Sequence, residues 1–392
     1  MKLNFNKIFF ILLVAQIISV QGIIVFNIFK FFGNWELKSY LHLTTVIFTL
    51  ATVAFYRLNK GTIKLSLTDI MFLVYSIFCF FVLLYNIQEF ESIVIAFREV
   101  LLLGLLVFAY QQISLSEKYW NKILRLLHIL VILNLVFIGL TYVLGPRAYM
   151  ELVTGRYRWP HDPDYKFKIS SFLMFWRSPG LIGSPGNVGY FGLLTYLLFD
   201  QNEKYKKKAV WPILLAIVGF VRSVYLVLAV YWVLKFFLTK KNLKIIKEAL
   251  PYLVPIFLIV GYFLYSKGIL DLTSLAMRID HWVHDINVDF NVLLGMGIGE
   301  AGGAVRGAGF VATLDNYWLL MLISTGLLGV ILLLLFFYEK AIENMKLKYA
   351  LVGFLCAGIF ITLTQGMAFL VLFPMLFIRR TGLIQNEEYA DE

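Results

Sequence analysis

Cysteine, proline and charge are scarce in this chain. Of its 392 residues, 2 are cysteine and 9 are proline, and 15% carry charge. Cys79 and Cys356 both lie in apolar runs, so the sequence offers no disulfide framework, and two thiols are too few for a metal-thiolate centre. The hydrophobic fraction is 60%, above the roughly 45–50% of soluble domains. The composition therefore excludes an ordinary soluble protein.

Apolar runs of about 20 residues recur along the chain, which is typical of a polytopic helical membrane protein. We predict a single all-α integral membrane domain over residues 1–392 with about twelve transmembrane helices. The apolar start is too long for a signal peptide and lacks a cleavage site, so it is interpreted as a retained first span. The predicted spans are approximately 8–29, 40–56, 68–86, 92–112, 122–144, 187–200, 209–221, 223–238, 249–266, 315–338 and two more within 349–378.

Two lysine-rich segments, 204–208 and 239–247, both have the character of cytoplasmic loops. The roughly 30 residues between them are too many for one span and too few for two full ones, at about 1.5 Å per residue. The sequence therefore predicts two short, tilted helices that turn at Arg222-Ser223. This turn places the Arg222 guanidinium near the outer leaflet. The alternative to a functional role is a surface arginine whose side chain extends along the helix to the membrane interface.

The positive-inside rule predicts that both termini lie in the cytoplasm. Two long extracytoplasmic segments follow from it, at about 145–186 and 267–313. Lysine and arginine in cytoplasmic loops explain much of the net charge of +11, so we expect no nucleic-acid partner. The rule expects arginine and lysine mainly in cytoplasmic loops. The two extracytoplasmic segments are exceptions, because both carry arginine. The alternatives are charge that a long loop simply tolerates and an anionic ligand bound on the outer face.

In the first segment, Arg177 precedes the run Ser184-Pro185-Gly186-Asn187. Either Ser184 or Asn187 can cap the helix that follows, and a helix N-terminus beside an arginine binds anions readily. The alternative is an ordinary entry from a loop into a helix.

The second segment carries Arg278, Trp282 and Arg306 and leads into Asp315-Asn316 at the start of an apolar helix. Arg278 and Trp282 are one helical turn apart. Trp282 either anchors an interfacial helix or stacks on a sugar or isoprenoid. Asp315 and Asn316 either cap the helix or face the arginines, where a carboxylate could accept a proton.

Two other sets of polar residues are not assigned to a functional site. His281 and His284 have a spacing that arises by chance, so we predict no metal site. Arg98-Glu99, inside the fourth predicted span, favours pairing between helices over catalysis.

Five motifs follow one another between about 170 and 330: RSPGLIGSPGNVGYF, the hairpin at Arg222-Ser223, MRIDHW, GMGIG and LDNYWLLMLISTGLLG. In their order and their fit to the span layout, they resemble the superfamily of Wzy-type polysaccharide polymerases and O-antigen ligases. The ligases carry histidine where this chain has Asp315. That departure favours the polymerase branch.

The resemblance implies a GT-C-like membrane glycosyltransferase that needs neither metal nor cofactor. Its donor would be an undecaprenyl-diphosphate-linked glycan, and its acceptor a second lipid-linked repeat unit. Arg222 and Arg278 would act on the diphosphate and Asp315 on the acceptor hydroxyl. The substrate would be bound with help from Arg177, Asn187, Trp282, Arg306 and Asn316. A separate chain-length-regulating co-polymerase is a further implied partner.

Two other functions stay open at this point. A ligase that transfers the glycan to a lipid or a protein belongs to the same class. A flippase or transporter of lipid-linked oligosaccharides belongs to another, and it should carry charge along a path through its spans. In this sequence the charge gathers in the predicted outer segments instead.

Overall fold

A computed structural model describes residues 4–32, 38–60, 65–87, 90–112, 114–155, 170–172, 175–237, 273–286, 289–302, 316–342 and 344–381, together with single positions at 255, 259 and 266. Helices dominate these residues. In chain order the helices are α1 Phe5–Ser19, α2 Gly22–Phe31, α3 Lys38–Lys60, α4 Leu67–Asn86, α5 Phe90–Val100, α6 Leu102–Gln112, α7 Glu117–Leu144, α8 Pro146–Thr154, α9 Pro185–Asp200, α10 Glu203–Lys206, α11 Val210–Val218, α12 Arg222–Phe237, α13 Thr273–Ile286, α14 Tyr317–Ala341, α15 Met345–Gly358 and α16 Met367–Met375.

Short 3-10 turns and strands complete the described residues. The 3-10 turns are Lys207–Ala209 and Leu363–Gln365. Strands β1 Ser114–Ser116 and β4 Arg379–Thr381 pair in parallel, with Ser114 opposite Arg379. Strands β2 Ser170–Phe172 and β3 Phe175–Arg177 form an antiparallel hairpin, with Ser170 opposite Arg177.

Four helical stretches in the described part of the chain are long and apolar enough to cross a membrane: Leu41–Leu58, Leu67–Asn86, Glu117–Leu144 and Tyr317–Ala341. Two bent helix pairs raise the number to six if each is one span. The chain is thus an all-α membrane protein apart from its short strands, as the sequence predicts. The count of twelve spans stays a prediction, and the predicted span at 249–266 lies outside the described residues except for single positions.

The first and fourth predicted spans are not continuous helices. The pair α1 and α2 is bent by 94°. The fourth predicted span is divided between α5, which ends at Val100, and α6, which begins at Leu102. At the first bend, the N–H of Ile23 leaves the helical ladder and donates to the carbonyl of Leu181 at 2.9 Å. A loop therefore supplies the acceptor that a straight helix would have provided.

Residue contacts group the chain into two compact units. The first comprises Met1–Asp69, Leu101–Tyr225 and Thr364–Glu392, and the second comprises Ile70–Val100 and Leu226–Leu363.

In the first unit, α9 is buried along most of its length and packs against α7, α11 and α16. Several polar groups inside this unit are paired with one another. The Gln16 amide nitrogen donates to the Thr49 hydroxyl at 2.7 Å, and the Tyr110 hydroxyl donates to the Gln16 carbonyl oxygen. Such pairing is needed because an unsatisfied polar group in an apolar interior is costly.

The second unit is organised around α14. Phe336 of this helix stacks on Phe72 of α4, with ring centroids 4.4 Å apart. The indole nitrogen of Trp318 donates to the Leu355 carbonyl near the end of α15 at 2.8 Å. These contacts link α14 to α4, which is distant in sequence, and to α15, which directly follows it.

Candidate anion site

The site in the first unit begins with a backbone contact between α9 and α11. A Cβ at Gly192 would lie 2.4 Å from the Ala216 nitrogen, and one at Gly219 would lie 2.8 Å from the Gly189 backbone. Glycine at these positions lets the two helices approach without intervening side chains. The close packing holds α11 against α9 up to the residue after its last turn.

After α11, the chain turns at 219–221 and starts α12 at Arg222. This agrees with the predicted pair of short helices, with the turn slightly earlier than expected. The Tyr225 hydroxyl donates to the Ile217 carbonyl at 2.5 Å, and the Tyr190 hydroxyl donates to the Ser223 hydroxyl at 2.9 Å. The first turn of α12 is therefore held to both α11 and α9, while Arg222 itself is exposed.

Arg177 is the last residue of β3, and the chain on either side of it is held by hydrogen bonds. The Tyr142 hydroxyl donates to the carbonyl of Trp176 at 2.8 Å. The Ser178 and Thr141 hydroxyls lie 2.7 Å apart, and the Tyr149 hydroxyl donates to the Gly180 carbonyl at 2.8 Å. Helices α7 and α8 thus fix the loop that follows Arg177.

Asn134 is a member of this support that the sequence analysis missed. Its side-chain carbonyl accepts the Leu181 N–H at 2.9 Å, and its amide donates to Gln21 and to the Leu130 carbonyl, each at 2.9 Å. Asn134 is fully buried on α7. The available signal was an asparagine in the middle of an apolar run, where an unpaired amide would be costly.

Arg177 and Arg222 are brought close enough to interact electrostatically. Burial, and then the charge of Arg222, hold the pKa of Arg177 below its usual value. The Arg177 Nε is buried and has no hydrogen-bond partner among the described residues. Arg222 also opens α12, whose N-terminus carries partial positive charge. Like charges gathered at a helix N-terminus favour an anion between them.

Asn187 does not cap α9, so that interpretation is wrong. Pro185 begins the helix, which places Ser184 at the N-cap position, and the Ser184 side chain makes no capping hydrogen bond. Asn187 is the third helical residue, and its side-chain oxygen accepts the Ala368 N–H at 3.4 Å. It therefore joins the first turns of α9 and α16.

Arg278 and Trp282 belong to the second unit, where both contact Phe360. The Arg278 guanidinium donates to the Phe360 carbonyl at 2.7 Å, and the Trp282 and Phe360 ring centroids are 6.4 Å apart. The Trp282 indole N–H is buried without a hydrogen-bond partner in the described part of the chain. Its ring also packs against the apolar cluster of Ala301, Leu319, Leu320 and Ile323. Trp282 thus packs within the second unit, and the Phe360 carbonyl engages one N–H group of Arg278. The predicted role of Trp282 in substrate binding stays a prediction.

Asn316 is the N-cap of α14, as one of the two sequence interpretations expected. Its side-chain oxygen accepts the Leu319 N–H at 3.0 Å. Arg306 and Asp315 lie outside the described residues, so their predicted roles stay predictions. Within the described ranges, no group of three or more His, Cys, Asp and Glu side chains could hold a metal ion.

The glycine run meets a break in α14 that the sequence analysis did not predict. Gly326 has non-helical dihedral angles within this helix (φ 65°). The carbonyls of Ile323 and Ser324 accept the N–H groups of Met296 and Gly297, at 2.7 and 3.2 Å. Beyond the break, the N–H groups of residues 327 and 328 donate to the carbonyls of residues 292 and 293. The segment 292–297 thus satisfies the backbone groups that the break would leave unpaired.

In comparisons with known proteins, no protein-family model, no curated protein and no solved structure matches the chain.

Proposed function

We propose that the protein is a membrane-integral glycosyltransferase of the polysaccharide-polymerase type. It would take an undecaprenyl-diphosphate-linked glycan and extend it by a lipid-linked repeat unit. The observation that supports this proposal is the pair formed by Arg177 and Arg222 at the N-terminus of α12, within an all-α membrane protein. Such a pair suits a ligand with two adjacent phosphates and a membrane-resident tail.

In this reaction, the acceptor hydroxyl oxygen forms a bond to the anomeric carbon of the donor sugar. The bond from that carbon to the diphosphate oxygen breaks, and its electron pair leaves with the lipid diphosphate. The hydroxyl proton passes to a base, for which Asp315 is the predicted residue. Guanidinium groups stabilise the negative charge that grows on the leaving oxygen.

The remaining roles come from the family resemblance. Arg278 is proposed as a second diphosphate ligand, and Arg306 and Asn316 as substrate-binding residues. Asn187 and Trp282 are likewise proposed to bind the substrate. We place the reaction on the extracytoplasmic face of a bacterial inner membrane, with a separate co-polymerase setting the chain length.

Lipid-diphosphate binding tests the site directly. We would measure the affinity of the full chain in lipid nanodiscs for undecaprenyl diphosphate, with Arg177→Ala and Arg222→Ala as variants. A hydrogen bond to a charged group contributes ~1.5–3 kcal/mol, so either variant should bind roughly ten- to a hundredfold more weakly. Arg147→Ala is the matched control, because Arg147 is an exposed arginine on α8. Its affinity should equal that of the parent chain.

Polymer length in cells tests the reaction. Cells with Arg222→Ala or Arg278→Ala should display single repeat units and no long chains. A variant that is expressed normally and still yields full-length polymer would remove that arginine from the site. Accumulation of lipid-linked units on the cytoplasmic side would identify a flippase instead. Loss of glycan transfer to a lipid or protein acceptor, with polymer length unchanged, would identify a ligase.

A further inference from the structure

We propose that Phe175 and Phe220 are positioning residues whose stacked rings bring Arg177 and Arg222 together. This inference rests on the proposed function only in taking the arginine pair as the diphosphate site. Neither phenylalanine was singled out in the sequence. The two residues lie 45 positions apart, one in the hairpin strand β3 and the other in the turn between α11 and α12.

The same short pattern precedes both arginines. Residues 175–177 read Phe-Trp-Arg, and residues 220–222 read Phe-Val-Arg. Each guanidinium therefore follows an aromatic ring by two residues. A contact between the two rings therefore holds the backbone of β3 next to the turn before α12, and it brings the two arginines close to one another.

The contact between the rings is an offset stack. The centroids of Phe175 and Phe220 are 5.4 Å apart, and the ring planes differ by 13°. In a β-strand, residues i and i+2 point to the same face. The face of β3 that presents Phe175 to the turn consequently also presents Arg177 to it. Trp176 alternates to the opposite face.

The backbone at Phe220 supports a role for its ring. Phe220 has a φ of 49° and is the one non-glycine residue with positive φ in the described chain. Glycine adopts this conformation without steric cost, and a bulky side chain does not. Gly219, directly before it, has ordinary right-handed helical angles. Phe220 thus adopts a backbone conformation that is sterically unfavourable for a bulky residue and favourable for glycine. The contact of its ring with Phe175 offsets this steric cost.

The stack also explains how two like charges stay together before a ligand arrives. Arg177 and Arg222 repel one another, and Arg177 is partly desolvated as well. Without the ring contact, this repulsion would drive the two guanidinium groups apart. With the rings stacked, the pair is already arranged for an anion, so less ordering is lost on binding.

The test separates positioning from stability by using two measurements on each variant in lipid nanodiscs. The first is the melting temperature without ligand, and the second is the affinity for inorganic diphosphate and for undecaprenyl diphosphate. Phe220→Gly removes the ring and relaxes the backbone, so it should melt at or above the temperature of the parent chain. Its affinity for both probes should nevertheless fall about three- to tenfold, the value of one aromatic pair.

Further variants keep the test decisive if Phe220→Gly fails to fold. Phe175→Leu removes the partner ring from a residue that is 45% exposed, and it should weaken binding by a similar factor. Phe220→Tyr keeps the stack and should restore parental affinity. In the double variant Phe175→Leu with Phe220→Leu, the loss should be no larger than in either single variant, because both remove the same contact.

A second stacked pair provides the control. Phe72 and Phe336 stack with the same 13° interplanar angle in the second unit. Phe72→Leu should lower the melting temperature and leave both affinities unchanged.

The possible outcomes separate the two proposals. If Arg177→Ala and Arg222→Ala lose diphosphate affinity while Phe220→Gly and Phe175→Leu bind as the parent does, the positioning role is overturned and the diphosphate site stands. Additive losses in the double variant would overturn it as well. If the arginine variants keep parental affinity, the diphosphate site itself is refuted.

Discussion

Alanine at Gly192 should separate α9 from α11 and displace the turn that carries Arg222. The added Cβ would lie 2.4 Å from the Ala216 nitrogen, 2.8 Å from the Pro212 carbonyl oxygen and 2.9 Å from the Ala216 Cα. All three are backbone atoms of α11, so no side-chain rotation can relieve the overlap. One helix has to move away from the other.

Two opposing terms set the size of the effect. Replacing a helical glycine by alanine gains about 1 kcal/mol of helix propensity. Overpacking a tight interior costs about 1–3 kcal/mol, and a clash with backbone belongs at the upper end of that range. We expect the free energy of unfolding to fall by about 1–2 kcal/mol.

Gly139→Ala supplies the matched comparison. Gly139 lies within α7 and is exposed, and a Cβ added there would meet no other atom within 4 Å. Only the propensity term applies there, so this variant should gain up to about 1 kcal/mol. The assay is denaturant or thermal unfolding of both variants in one detergent at one scan rate. If Gly192→Ala proves as stable as Gly139→Ala and binds diphosphate as the parent does, the close contact between α9 and α11 does not position the arginine site.

Three other predictions concern single contacts. Asn134→Ala leaves the buried Leu181 N–H without its acceptor, so unfolding free energy should fall by about 1–3 kcal/mol, and diphosphate affinity should fall with it. Asn316→Ala removes the N-cap of α14 and should cost about 1 kcal/mol, whereas Asn316→Asp should keep most of that stability in the same melting assay. Gly326→Ala would place a Cβ 2.3 Å from the Leu293 carbonyl oxygen at a positive φ; it should prevent stable folding, and a yield of monodisperse protein equal to that of the parent would contradict the break in α14.

The sequence predicted most of the helices, because apolar periodicity and charge at the ends of spans are local properties of the chain. The span expected at 122–144 is the helix Glu117–Leu144. The two lysine clusters around 209–238 also predicted a pair of short helices, since the residues between them could not form one span or two full ones.

The bends and breaks could not be predicted in this way, because their partners are distant in sequence. The bend after α1 depends on the Leu181 carbonyl, about 160 positions beyond Gln21. The break at Gly326 depends on residues 292–297. Both places lie inside longer apolar runs, so a count of apolar residues over the length of a span does not reveal them.

The sequence singled out the arginines of the candidate site but not the aromatic residues beside them. Arginine in a predicted outer segment is conspicuous by charge alone, which identified Arg177. The spacing of the two lysine-rich segments identified Arg222 at the turn between them. Phe175 and Phe220 are inconspicuous in a chain with 36 phenylalanines. Their importance follows from a ring contact and a backbone angle, neither of which is visible before the chain is folded.

The interrupted helix α14 has a consequence for biosynthesis. Its halves depend on four backbone hydrogen bonds from residues 292–297, and in hydrocarbon each missing bond costs several kcal/mol. These residues leave the ribosome before α14 does, so the segment is ready when the helix arrives at the translocon. A circular permutant that starts between residues 302 and 316 would reverse this order of synthesis. In it, α14 would enter the bilayer either as one continuous helix or with the backbone groups at its break lacking hydrogen-bond partners.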